Sequence, residues 1–316
     1  MNDHIDFEWL RDMMNQRPDV PAGERDGISI VVDTLPAGKK TTVVSMRNAL
    51  LRGEPVTDMS FECDHAIRAL RDVDHGEWFR DDPQEVWQMY DALEAIADMD
   101  DPSVLVGGLG LGTFSRLADV YAGGIVTTVE RDERIVELVA KYATRRVIVA
   151  DIYNFVREIG PDEYDIAFLD TWQMTGEQCW VDEVVPLRRL IGGKIPEIHC
   201  WNEREMFGQI GLGIFRAISI PLDNLPKMSI HYRVVRRAAE RAGIAPDEPL
   251  PSDETKRMFA IMERAEQMVA NPVALSMVRR FVNDVGLDDW EAEFGGFWDD
   301  ETQQRVEWRR ASGLTE

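Results

Sequence analysis

Three acids, each roughly 20 residues from the next, stand behind a glycine-rich turn, and together they set the chemistry open to this sequence. The turn is Gly107-Gly108-Leu109-Gly110-Leu111-Gly112, entered from Val104-Leu105-Val106 and left through a helically spaced run over residues 114–121. A strand, a tight turn and a helix in that order form a cradle for a nucleotide-like molecule. A side chain at Gly108 or Gly110 would keep the backbone from closing on the ligand, and Gly112 lets the helix start pack against the strand. Glu130 ends the run Ile125-Val126-Thr127-Thr128-Val129, at the spacing where an acid accepts hydrogen bonds from both hydroxyls of a ribose. Asp151 ends Arg146-Val147-Ile148-Val149-Ala150, and Asp170 ends Tyr164-Asp165-Ile166-Ala167-Phe168-Leu169.

Each acid closes a β-branched or apolar run, and helically spaced stretches over 131–142 and 152–159 separate the runs. Strands alternating with helices build a parallel sheet, and ligands bind outside the carboxyl ends of such strands. Glu130, Asp151 and Asp170 are therefore expected to border one crevice with the glycine turn. The fold class that follows is α/β, a Rossmann-like doubly wound sheet.

The order of these features resembles the class I S-adenosylmethionine (SAM)-dependent methyltransferase fold, and within it the spermidine-synthase-like branch. The residues that carry the resemblance are Gly107 to Gly112, Val129-Glu130-Arg131-Asp132, Val149-Ala150-Asp151-Ile152 and Tyr164-Asp165-Ile166-Ala167-Phe168-Leu169-Asp170. It implies that Gly108, Gly110 and Gly112 cradle SAM and that Glu130 binds its ribose. It implies further that Asp151, with Ile152, faces the adenine, and that Asp170 lies beside the transferred group. Two positions depart from the pattern. Val106 stands where methyltransferases of this class often carry an acid. Gly110 stands where polyamine synthases have an aspartate, which speaks against aminopropyl transfer.

Acidic residues outnumber basic ones 58 to 35, a formal charge of −23, so the average surface repels phosphate backbones. Nucleic acid is disfavoured as substrate, and a small-molecule or peptide substrate, cationic by complementarity, fits better. Cys63, Cys179 and Cys200 are widely spaced, with no metal-like pattern, which suits a reducing compartment. The first 17 residues carry acids and no signal-peptide core, and no apolar run reaches the roughly 20 residues of a membrane helix. The expectation is a cytoplasmic protein without a membrane span.

Ahead of the turn, residues 4–16 space Ile5, Phe7, Leu10 and Met13 as a short amphipathic helix. Residues 27–33 and 40–46 are strand-like, and Pro36-Ala37-Gly38 between them predicts a β-hairpin. Residues 65–71 read as helical or irregular. Asp82 as N-cap and Pro83 at the first helical position predict a helix running to about residue 97. Trp78 and Phe79, just before it, either wall the ligand or staple the helix to the core. After Asp170, Trp172 and Gln173 fall in the loop that faces the substrate in the resembled families, and Trp172 offers a face to a planar or cationic group. His199 sits near the end of an expected fifth strand over 194–201, where it is a candidate proton acceptor beside Asp170. The division is a helix and β-hairpin element over 1–75, a SAM-binding core over 76–201 and a helical extension over 202–316. In the extension, Trp290, Phe294, Phe297, Trp298 and Trp308 among many acids either cover the domain's own core or form a surface for a second copy or another protein.

The leading reading is thus a SAM-dependent methyltransferase with Asp170 and His199 at the acceptor. A nicotinamide-dependent dehydrogenase shares the glycine turn and Glu130, but acids at two further strand ends would repel its pyrophosphate. A methyltransferase-like fold kept as a binding or assembly module stands as the non-enzymatic reading.

Overall fold

Val104, Leu105 and Val106 are wholly apolar, and only a strand covered on both faces hides such a run. The computed structural model describes residues 5–45, 48–49, 55–172, 179, 183–203 and 205–206. In it that run is the centre of a five-stranded parallel sheet. The chain divides into two compact units. The first comprises Met1–Val43, Thr57–Met174 and Glu183–Glu203; the second comprises Val44–Val56, Thr175–Asp182 and Arg204–Glu316, nearly all of it outside the described residues. The helical and aromatic extension expected over 202–316 lies, beyond residue 206, outside the described residues.

The first unit opens with α1 (Phe7–Gln16), whose N-cap Asp6 accepts the N–H groups of Glu8 and Trp9 and whose Leu10, Met13 and Met14 are buried. Then come β1 (Gly23–Arg25), β2 (Ile28–Leu35), β3 (Thr41–Val44), β4 (Thr57–Met59), β5 (His65–Asp72) and β6 (Gly76–Arg80). Strands β1, β2, β5 and β6 form an antiparallel sheet in that order, and β3 pairs with β4 in a separate ribbon.

Two expectations are corrected here. The hairpin of β2 with β3 does not form, because β2 pairs along its whole length with β5, from Ile28 opposite Asp72 to Leu35 opposite His65. The Pro36–Gly38 turn instead leads away, with the Gly38 N–H donating to the Phe61 carbonyl at 2.9 Å. Residues 65–71 are a strand and not helical or irregular. Arg68 takes an inward position, which hides the alternation in the sequence, and pairing on both sides overrides the helical preference of Ala, Leu and Arg. The antiparallel sheet continues through Arg80, beyond residue 75 where the sequence division was drawn.

A buried ion network closes this part. Asp81 is fully buried. It holds Arg17 at 2.8 Å, accepts the Arg68 N–H at 2.6 Å and meets the Arg68 guanidinium at 3.4 Å. Arg17 also donates to the Ala66 carbonyl and Arg68 to that of Val20, so every charge has several partners. The network fastens α1, β5 and the end of β6 to one another.

Asp82 and Pro83 start a helix as expected, but it is two pieces, α2 (Pro83–Trp87) and α3 (Tyr90–Ala97). The N–H groups of Gln88 and Met89 bond carbonyls three residues back, and this tightening bends the chain between the pieces. The parallel part follows: β7 (Ser103–Gly107), α4 (Thr113–Ala122), β8 (Ile125–Glu130), α5 (Glu133–Ala143), β9 (Arg146–Val149), α6 (Ile152–Glu158), β10 (Ile166–Leu169), α7 (Val185–Ile191) and β11 (Glu197–Cys200). The order across the sheet is β11-β10-β7-β8-β9, all parallel. The chain winds outward one way from β7 through β8 to β9 and the other way through β10 to β11. The sheet is Rossmann-like. Its switch point falls between β7 and β10, where the loops part and leave a crevice. Pro196, which has no N–H to donate, stands just before β11, an edge strand among the described residues.

Candidate functional site

The glycine turn alternates residue by residue, and the two sets do different work. Leu109 and Leu111 are buried with Val20, Ile28, Ile30, Leu70, Ile135, Val139 and Ala143, in a core shared by the antiparallel sheet and α5. Burial of a leucine contributes about 1.5–3 kcal/mol, so two of them anchor the turn. Gly108, Gly110 and Gly112 all have positive φ, 94°, 50° and 73°.

Packing requires glycine at two of these positions. A Cβ at Gly108 would lie 1.9 Å from the Asp170 carbonyl oxygen, so this glycine admits the end of β10. A Cβ at Gly112 would lie 2.5 Å from Cβ of Ala143, so this glycine admits the end of α5 and not the strand. Gly110 faces open space, with Phe79 Cγ the nearest atom at 4.0 Å from such a Cβ. Phe79 therefore borders the turn, while Trp78 packs against the same core with its buried indole N–H lacking a partner among the described residues.

Four strand ends meet at this edge in the order β10, β7, β8, β9, bringing Asp170, the turn, Glu130 and Asp151 side by side. Glu130 is 8% exposed. One carboxylate oxygen accepts the Leu109 N–H at 2.9 Å and the other the Asp132 N–H at 2.9 Å. A carboxylate has about four acceptor positions, so each oxygen keeps room for one more donor. Asp151 caps α6 by accepting the Asn154 N–H at 3.0 Å, a structural duty beyond the one the resemblance implies. Ile152 is buried beneath Gly107, where a Cβ would lie 3.2 Å from its Cγ1.

Asp170 is the electrostatic centre. Its N–H donates to the Gly107 carbonyl at 2.7 Å, and its own carbonyl is the one Gly108 accommodates, so the main chain is fixed to the turn. The side chain has no hydrogen-bond partner among the described residues. Burial, and then the charge of Glu130, push its carboxyl from an ordinary 3.8 up to about 7. Two acids thus face each other with no cation between them among the described residues.

His199 is not joined to this pair. It lies one residue inside the end of β11, and its Nε2 is 2.7 Å from Glu197 Oε1 on the same strand. Trp172 is buried at 9% exposure with its indole N–H unpartnered among the described residues, while Gln173 lies outside them. Sequence reasoning passed over Thr113, which opens α4 directly after the last glycine with a buried hydroxyl that has no partner among the described residues. A hydroxyl at that place was a readable signal. It also missed the link from the Trp201 indole N–H to Glu85 Oε2 at 3.2 Å, which ties α2 to the end of β11. Such a pairing, over a hundred residues apart in the chain, has no local signature.

Among the described residues no group of three or more His, Cys, Asp or Glu side chains is placed to hold a metal ion, and no helix is long and apolar enough to cross a membrane.

No protein-family model matches the chain, and no curated protein matches it. Among solved structures it is similar to one described as a probable spermidine synthase from Corynebacterium glutamicum ATCC 13032, with a TM-score of 0.35 and 16% identity. The match covers 56% of this chain and 61% of that one. So distant a likeness carries no inference about activity.

Proposed function

We propose that the crevice at the carboxyl edge of the parallel sheet binds SAM, and that the protein transfers a methyl group to a small or peptide-like, cationic acceptor. The observation that carries this reading is the pair of acids at the switch point with no cation beside them among the described residues: Glu130, held to the turn by the Leu109 N–H, and Asp170, raised to about 7 beside it. Acids without a counter-charge fit a ligand that brings both hydroxyl donors and a positive charge. The buried groups of Thr113 and Trp172, without partners among the described residues, add further places for polar contact.

In this reading Glu130 receives the ribose hydroxyls on its two remaining acceptor positions. Asp151 offers its second oxygen, and Ile152 an apolar surface, to the base. SAM supplies an electrophilic methyl on a sulfonium, so most of the remaining task is placement. Asp170 compensates the positive charge and, when ionised, takes a proton from the acceptor on its carboxylate. Trp172 faces the acceptor, and Trp78 supports Phe79 at the turn. His199, oriented by Glu197, marks the far rim. Nucleic acid remains disfavoured as substrate by the charge of −23.

The same pair of acids would also suit aminopropyl transfer. Two measurements test the proposal. Titration calorimetry with SAM and S-adenosylhomocysteine is expected to give heat, and its absence at millimolar ligand removes the reading. Incubation of candidate amines and basic peptides with SAM or with decarboxylated SAM, followed by mass spectrometry, then distinguishes a methyl from an aminopropyl gain.

A further inference from the structure

We propose that the cleft between α4 and α5, beside the edge strand β9, docks an extended acidic segment of a protein partner. A groove of about 550 Å³ opens there between α4, the end of α5 and the start of β9. Its lining includes Arg116, Asp119, Lys141, Tyr142, Arg145 and Val147. The volume lies within the range of ligand clefts, about 300–1,000 Å³, and holds a few side chains and not a folded domain.

Two further features adjoin it. Strand β9 is an edge, paired only with β8 among the described residues, and Val149 is 47% exposed; Ile125, at the start of β8, is 60% exposed. An open edge with apolar side chains is a template for strand addition, where main-chain hydrogen bonds supply affinity. The second feature is charge. In a chain of −23, cations gather here: Lys141 in the last turn of α5, lying over the Tyr142 ring at 4.8 Å, and then Arg145 and Arg146. Lys141, Arg145 and Arg146 are exposed and have no carboxylate partner among the described residues, while Arg116 meets Asp119 at 3.5 Å.

These features select the occupant. Two copies of this chain joined through β9 across a twofold axis would carry Arg145 and Arg146 of both into one interface, where β9 itself, Arg-Val-Ile-Val, offers no carboxylate to match them. A long polyanion such as nucleic acid would meet the cations but also the acidic remainder of the surface. A short acidic strand meets the cations alone and satisfies the edge.

The test uses the full-length protein and a short fluorescein-labelled peptide alternating Glu and Val, followed by anisotropy. Binding is expected to weaken as salt rises, and Lys141→Glu with Arg145→Glu is expected to reduce affinity at least about tenfold. The matched Lys–Val peptide is expected not to bind. Binding indifferent to salt or to the double substitution overturns the proposal. So does equal affinity for a single-stranded oligonucleotide, which makes the patch a general polyanion site. So too does a concentration-dependent dimer abolished by the same substitutions in sedimentation. The salt arm needs no variant and holds even where the double substitution disturbs folding.

Discussion

Replacing Asp170 by Asn should make this protein more stable and, on the proposed reading, inactive. The carboxyl titrates near 7 when folded and near 3.8 when exposed. Below 3.8 it is protonated in both states and has no effect. As pH rises from about 4 to 7 the unfolded chain gives up the proton and the folded chain keeps it, so wild-type stability falls. Above 7 the full difference is lost, about 4 kcal/mol at the conversion of 1.36 kcal/mol per pH unit. The residue is half-buried, and solvent screening brings the expected figure to between about 2 and 4 kcal/mol.

Asparagine removes the ionisation while nearly keeping the shape. Urea denaturation of both proteins between pH 4 and pH 8.5 reads the effect. The two curves should nearly coincide at the acid end and separate steadily up to neutrality, with the variant the more stable by several degrees in Tm at pH 8. A cationic ligand acts oppositely, favouring the ionised carboxylate, so SAM affinity in the wild type should rise with pH through about 7. Parallel stability curves, or a variant less stable at pH 8 than at pH 4 relative to wild type, would refute the electrostatic account of the site. Loss of turnover together with increased stability would mark Asp170 as strain kept for function.

Other perturbations separate the parts of the site. Gly108→Ala, which drives a Cβ into the Asp170 carbonyl at positive φ, should prevent stable folding, whereas Gly110→Ala, facing open space, should cost only about 1–2 kcal/mol by circular dichroism melts. Glu130→Gln should weaken SAM binding in calorimetry about tenfold and also shift the pH dependence of stability to lower pH, because the charge that helps raise Asp170 is gone. Asp81→Ala leaves Arg17 and Arg68 buried without their shared carboxylate and should cost about 3–5 kcal/mol in urea denaturation, with no change in the pH at which Asp170 titrates.

The parallel half of the fold was readable because β7 to β10 are largely apolar or β-branched runs, three of them closed by an acid and one by the glycine turn, with helically spaced stretches between them. The antiparallel half was not, and Arg68 shows why. A buried arginine held by Asp81 and the Val20 carbonyl breaks the alternation that would mark β5, and those partners lie 13 and 48 residues away. The glycine turn was legible as a turn but not in its contacts. That Gly108 yields to the Asp170 carbonyl and Gly112 to Ala143 depends on how β10 and α5 pack, which local sequence does not encode. The acids themselves were placed side by side by topology alone, whereas the matching of Glu130 by main-chain N–H groups and the isolation of Asp170 emerge only from the folded geometry.

A parallel sheet has two unlike edges, and this chain charges them oppositely: acids follow the strands at one, while Arg145 and Arg146 introduce β9 at the other. Arg146 pairs with Thr127 and Val149 with Glu130, so three residues, roughly 10 Å at about 3.3 Å per residue, separate Arg146 from Glu130 along the strands. At physiological salt the Debye length is about 8 Å, so charge brought to the exposed arginines is partly screened from the acids. An acidic segment docked beside them should therefore shift the titration of Asp170 and the affinity for SAM only slightly. A large change in affinity, measured by titrating SAM in the presence of saturating Glu–Val peptide, would require the sheet itself to move.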